Sequence, residues 1–554
     1  MPNRFKLFIL PPVSPTPPGV RAGLQGNQLG SGSMLRKFLL IASLLAAVGG
    51  LPAAELNLIP WPAQVQRRDG EFAVTDQTVV TADAAFAAEA AQLAGQLQLK
   101  TAATATANQI HLTTAGADGL GPEAYRLEAG PAGVTLRAAT AAGVFYGGQT
   151  LRQLLDARAQ TIPGVQIEDA PRYAWRGVLL DVSRHYFDTA TIQQLLDWMA
   201  AYKLNRFHIH LTDDQAWRLA IGKYPELTQT GARGNFTDSN APARFFTKAE
   251  MQSLIAYAAA RHIVVVPEID MPGHAGAATR TYPELDGGRN TYHPGRAATY
   301  DFLENVLRDV VQTFPSPWIH FGGDEVNTSG WSQDAAVTEK LRAEGLQQPQ
   351  QLEGYFARRM SRFITELGRT PMGWDEIVTA RPATNTVVFW WRHNKPDTLQ
   401  KALADGYAVV LTPRSPCYFD YPQDKTYPSF AWKLCNTPAA VYGGPKLPAT
   451  IPPAQLKQIL GVEGCVWTEH IGSVPYLEFM LLPRLPALAE MAWTADAQRD
   501  YAKFNARLKP WLEQYRQQGI HSYDENNPEG SLREVKTPGK ISPTAQHIKA
   551  ASVN

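Results

Sequence analysis

From about residue 171 the chain alternates between two rhythms. Short apolar runs stand at 176–182 (RGVLLDV), 206–211 (RFHIHL), 263–269 (IVVVPEI) and 318–322. The series continues at 372–374, 387–391 (VVFWW), 408–412 (AVVLT) and 461–467. Helical spacing fills the gaps. Ile192, Leu195, Leu196 and Met199 share one face of a helix that Asp188 or Thr189 can cap, and Thr247 with Glu250 forms a capping box ahead of Met251, Leu254, Ile255 and Ala258. Tyr300, Leu303, Val306, Leu307 and Val310 repeat the spacing, as do Leu352, Phe356, Phe363 and Ile364. Runs alternating with helices over residues 171–495 predict a (β/α)8 TIM barrel, in the α/β class. The competing architecture is a doubly wound open sheet, but no glycine-rich phosphate loop follows the first run.

The flanks read differently. Residues 55–170 hold short strand-like stretches and an Ala-rich helix at 84–99, then a strand at 134–138 and a helix at 143–155. This predicts a small α+β domain with no recognisable chemistry. The barrel domain is expected to run over 171–523 and to end in a helix at 501–518. The polar residues 524–554 offer no core positions and read as a frayed tail.

The N-terminus changes the picture of where the protein works. Leu35-Arg36-Lys37, an apolar run at 38–48 and small residues around Pro52-Ala53-Ala54 form a secretory signal with its natural start at Met34. Residues 1–54 are therefore leader and signal, and the expected product is periplasmic or secreted. No stretch is long and apolar enough for a membrane span. The 554 residues carry 52 basic and 51 acidic side chains, a net charge of +1, which gives no electrostatic case for nucleic acid. In an oxidising compartment Cys417 and Cys435 could close a disulfide, with Cys465 a buried free thiol.

The polar residues fall where a barrel keeps its active site, at the carboxyl ends of the strands. Those ends carry Asp181 and Arg184; His208, His210, Asp213 and Asp214; Glu268, Asp270 and His274; His320, Asp324 and Glu325. Trp374 with Asp375 and Glu376, Trp390 and Trp391, Tyr418 with Asp420, and Trp467 with Glu469 complete the set. The sharpest segment is His320-Phe321-Gly322-Gly323-Asp324-Glu325, a strand that turns on two glycines into adjacent carboxylates. Neighbouring side chains in extended backbone point to opposite sides, so the two acids cannot share one job. Like charges this close tend to raise one pKa toward the range of a general acid. Indole faces stack on the C–H patches of a pyranose, and carboxylates with arginine bind its hydroxyls. The pattern points to glycoside hydrolysis.

Taken together, RGVLLDVSRHYF (176–187), HIHLTDDQAWR (208–218), PEIDMPGHA (267–275), HFGGDE (320–325), GWDE (373–376), YFD (418–420) and WTE (467–469) make the chain resemble family 20 glycoside hydrolases, β-N-acetylhexosaminidases, over about residues 55–520. The resemblance implies that Glu325 is the general acid and later the base. It implies that the substrate's own 2-acetamido oxygen is the nucleophile, giving an oxazolinium intermediate and net retention. Asp324 would bind the acetamide N–H and Tyr418 its oxygen. Trp374, Trp391 and Trp467 would wall its methyl group, with Trp391 preferred to Trp390 because Arg392 follows it. Arg184, Asp420 and Glu469 would hold the sugar hydroxyls. His274 with Asp213 or Asp214 would form a relay tuning Glu325. The implied substrate is a glycan ending in N-acetylglucosamine or N-acetylgalactosamine, with no cofactor.

Two other readings use the same residues. A metal-dependent barrel hydrolase would recruit His208 and His210, which otherwise hydrogen-bond inside the barrel. A non-catalytic glycan-binding protein would need a lost acid, and Glu325 is present. Asp375 and Glu376 read as partners of the indoles. Trp331, Trp432 and Trp493 read as core or rim at least as well as sugar platforms, and Trp217 could line a loop near the mouth.

Overall fold

The computed structural model describes residues 56–332, 334–425 and 434–533. The leader and Trp432 lie outside the described residues. All eight apolar runs are parallel strands: β1 Trp175–Asp181, β2 Arg206–His210, β3 Val264–Glu268, β4 Trp318–His320, β5 Thr370–Trp374, β6 Val387–Trp390, β7 Ala408–Leu411 and β8 Ile459–Val466. β8 pairs with β1, so the sheet closes, and the open-sheet alternative falls. The helices follow their caps. Asp188 accepts from the Thr191 N–H at 2.9 Å to start Thr189–Ala201, and the Thr247/Glu250 capping box opens Lys248–Ala259. Among the described residues no helix is long and apolar enough to cross a membrane.

Before the barrel stands a seven-stranded mixed sheet with the helices Ala87–Leu97 and Ala141–Leu154. Buried polar bonds join it to the bottom of the barrel. Lys203 Nζ donates to Asp169 Oδ2 at 3.0 Å and to Tyr125 Oη at 2.9 Å, and Arg176 pairs with Glu123 at 2.8 Å.

Two expectations need correction. Cys417, Cys435 and Cys465 are all free, so the anticipated 417–435 bridge is not formed. Cys417 is fully buried near Glu463 and Cys465, whereas Cys435 is half-buried near Arg484 and Asp424. The tail also begins folded. Pro528–Arg533 is a short helix, and the Asp524 N–H donates to the buried Ser531 Oγ at 3.0 Å.

Candidate active site

Strand register sets the floor of the site. Asp181 is paired with His210, His210 with Glu268, and Glu268 with His320, so the last residues of β1 to β4 form one polar layer. Glu268 is its hub. Its carboxylate meets His210 Nδ1 at 2.5 Å, His320 Nδ1 at 2.8 Å and His208 Nε2 at 3.3 Å, and accepts from Trp374 Nε1 at 2.9 Å. Burial opposes charge on Glu268, but His210, His320 and His208 hold it well below the usual carboxylate range. His208 also meets Glu463 at 2.8 Å; against the cost of burial, Glu463 and Glu268 push the imidazole up to about 9. Glu463 was missed in the sequence because it sits inside an apolar strand run. A lone carboxylate there was the only signal.

One step higher, Asp213 gathers the polar side chains. Its Oδ2 pairs with Arg184 Nη2 at 2.6 Å and His210 Nε2 at 3.0 Å, and its Oδ1 meets His274 Nδ1 at 3.2 Å. Burial works against its charge, yet Arg184 and His274 keep the carboxyl well below its ordinary range. Asp214 takes a different contact, accepting from the Gly276 N–H at 3.1 Å. Of the two aspartates, Asp213 is the one that binds the His274 ring. The other ring nitrogen, Nε2, lies 3.4 Å from Asp324 Oδ2 and 3.9 Å from Glu325 Oε2. Burial opposes a proton on His274, but Asp213 and Asp324 hold its pKa well above the ordinary value.

The acids themselves ride a strained turn. Gly322 has φ +71°, Gly323 +94° and Glu325 +49°. A Cβ at Gly322 would fall 1.7 Å from Asp270 Oδ1, so no larger residue fits. Asp324 Oδ1 is buried without a hydrogen-bond partner. About half of the Glu325 side chain, 51%, is exposed. Burial raises its pKa, His274 pulls it back and Asp324 pushes it up again, for a net rise. A sugar covering the carboxyl would strengthen the upward push.

Aromatic rings complete a cup. Trp391 and Tyr418 lie nearly parallel with centroids 6.2 Å apart, and Trp467 stands 6.1 Å from Tyr418 and 5.8 Å from Trp374. Trp391 Nε1 donates to Glu376 Oε2 at 3.0 Å, and Arg392 pairs with Asp375 at 2.6 Å, so these two acids brace the wall. Trp390 packs elsewhere in the core, its Nε1 donating to the Lys395 carbonyl at 3.3 Å. Arg184 lies 5.1 Å over the Trp467 ring. Burial raises the pKa of Glu469, with the charge of Arg184 pulling against it. The charge of Asp420 reaches both Tyr418 and Tyr421. Trp217, Trp331 and Trp493 are buried, bonding to the Leu219 carbonyl, Thr291 and Asp169, and line no cup. Arg414, 5.0 Å over Trp391, is a further contributor that its sequence context did not announce.

Ligand atoms of His208, Glu268 and His320 converge within 4.8 Å, as do those of Asp213, Asp214 and His274. His208 and His210 are nonetheless fully buried and already bonded to carboxylates, so an ion there would be walled off from a sugar in the cup.

A parallel barrel whose mouth sets a strained acid beside an indole-walled cup is that of a glycoside hydrolase. Residues 173–496 match the model for the glycosyl hydrolase family 20 catalytic domain and residues 55–170 the model for domain 2 of that family; the chain belongs to it. A β-hexosaminidase of Porphyromonas gingivalis is 33% identical over an alignment of 486 residues, with 82% of this chain and 62% of that protein covered. A β-N-acetylhexosaminidase of Cellulomonas fimi is 32% identical, with 82% of this chain and 93% of the relative covered. The family 20 exo-β-N-acetylglucosaminidase of Vibrio harveyi, solved with N-acetylglucosamine, superposes with a TM-score of 0.78 at 28% identity over 85% of this chain and 78% of its own. A mutant Streptomyces plicatus β-hexosaminidase holding its product GlcNAc gives 0.76 at 30% identity, over 86% and 97%.

Proposed function

We propose that the protein is an exo-acting, retaining β-N-acetylhexosaminidase, removing terminal β-linked N-acetylglucosamine or N-acetylgalactosamine with the substrate's acetamide as nucleophile. The observation that carries this reading is Asp324 Oδ1, a buried carboxylate oxygen with no partner, on a side chain whose charge reaches Tyr418 of the indole cup. An amide N–H fits that oxygen, the Tyr418 hydroxyl fits the amide carbonyl, and the rings fit the methyl group. The acetamide oxygen then bonds to C1 as the C1–O glycosidic bond breaks, and Glu325 gives its proton to the departing oxygen. In the second half Glu325 takes a proton from water, which attacks C1 as the bond between C1 and the acetamide oxygen breaks, regenerating the acetamide and the β anomer. Asp324 offsets the positive charge of the cyclised sugar. Arg184, Glu469 and Asp420 hold the hydroxyls of the non-reducing end.

The test is to assay nitrophenyl N-acetylglucosaminide, N-acetylgalactosaminide and plain glucoside side by side, with and without chelator, following the released anomer by NMR. Hydrolysis of the acetamido sugars alone, with a β product and inhibition by a thiazoline mimic, is expected. An inverted product, or equal hydrolysis of the glucoside, sinks the mechanism. The segment 35–54 supports export of the mature enzyme to the periplasm or medium; N-terminal sequencing of secreted protein is expected to begin near Glu55.

A further inference from the structure

Asp270 is a buried acid that the mechanism above does not use. It is 1% exposed, and neither carboxyl oxygen has a hydrogen-bond partner. Its carboxyl lies under the turn that carries the acids, in the space a Gly322 side chain would fill. One of its oxygens is within 4.8 Å of both the His274 imidazole and a carboxylate oxygen of Asp324. A buried acid without partners calls for an explanation, and two ionised carboxylates this close, away from water, oppose each other.

We propose that Asp270 is a positioning residue for the reaction: it stays protonated behind Asp324, and its O–H reaches the Asp324 carboxylate as the acetamide settles. The groups around it fit a neutral acid. Burial and the charges of Asp324 and Glu268 all oppose a negative Asp270, with His274 and His210 pulling the other way, and the net direction is strongly upward. Tyr292, also buried nearby, supplies no positive charge. The hydrogen bond formed on binding would tie Asp324 into line with the amide N–H without setting a further negative charge behind it. Apo geometry leaves the contact open, as catalytic hydrogen bonds often are before substrate arrives.

The inference rests on the proposed role of Asp324, and a double-mutant cycle separates the two. Asp270→Leu is expected to lower kcat/KM on nitrophenyl N-acetylglucosaminide about 100-fold and to weaken the thiazoline inhibitor by a similar factor, as loss of a group acting in the transition state does. Asp270→Asn keeps a neutral donor of the same shape and is expected to recover most of that loss. In an Asp324→Asn background, Asp270→Leu should cost little more, because its effect passes through Asp324. Additive losses overturn the inference, as does an Asn variant that is folded by thermal melt yet no better than Leu. Should Leu prevent folding, the Asn variant alone decides. Full activity of Asp324→Asn on acetamido sugars would instead refute the function proposed above.

Discussion

The floor of the barrel and the turn above it are made of the same groups, carboxylates and imidazoles, yet they stand in opposite states. On the floor Glu268 has a partner for each oxygen, and Glu463 bonds both His208 and Trp175. On the turn Asp324 leaves one oxygen unpartnered and Glu325 sits half-exposed at φ +49°, while beneath it the Asp270 carboxyl has no hydrogen bond. A compensated charge network holds its place and has nothing spare to offer a ligand. An under-satisfied one is costly when empty and has capacity for a substrate. The contrast separates groups that build the pocket from groups that act in it.

The largest effect should come from the turn. Glu325→Gln is expected to slow hydrolysis of a substrate with a poor leaving group by about 10² to 10⁴, the span proton transfer supplies, with the melting temperature near wild type. Steady-state kinetics with a calorimetric melt checks both halves; near-normal turnover ends the acid assignment. The floor should behave in reverse. Glu268→Leu strands three histidines and the Trp374 N–H, and breaking such a buried network costs about 3–5 kcal/mol of stability. Urea unfolding measures it, and a loss below about 1 kcal/mol would mean that the floor is not the rigid half of the comparison. A smaller effect is expected at the wall. Trp391→Phe removes the 3.0 Å bond to Glu376 but keeps an aromatic face. A hydrogen bond of this kind is worth about 0.5–1.5 kcal/mol, so KM should rise by roughly tenfold or less.

The contrast also marks what the chain's letters made legible. The eight strands, their order along the chain and the polar residues at their ends followed from period and position, because each run is short, apolar and set apart from the next by residues at helical spacing or by turns. What failed was whatever depends on a partner distant in sequence. Cys417 and Cys435 stand close along the chain, but their neighbours come from different parts of the fold. Glu463 looked like a flaw in a hydrophobic strand until β1 and β2 brought Trp175 and His208 beside it. The choice between Asp213 and Asp214 turned on backbone direction after β2: one carboxyl reaches His274 and Arg184, and the other meets the N–H of Gly276. Asp270 was visible at a strand end, but its lack of partners is a property of the assembled site.

That choice also yields the finest test. As an acid, Glu325 works only while it carries its proton, so activity is present below its pKa and is lost as pH rises through it. The positive His274 lowers that pKa, and Asp213 helps to keep His274 positive. In Asp213→Asn the imidazole gives up its proton more readily, Glu325 loses a positive neighbour, and the alkaline limb of the kcat profile should move to higher pH even as the plateau falls. Asp324→Asn removes a negative neighbour and should move the limb the other way. The largest charges acting on Glu325 are His274 and Asp324, and those acting on His274 are Asp213 and Asp324, so Asp214→Asn should shift the limb least. Profiles normalised to their plateaus read the three directions independently of total rate. A limb that moves down in Asp213→Asn, or that moves most in Asp214→Asn, would place the relay on the other aspartate and return Asp213 to the structural floor.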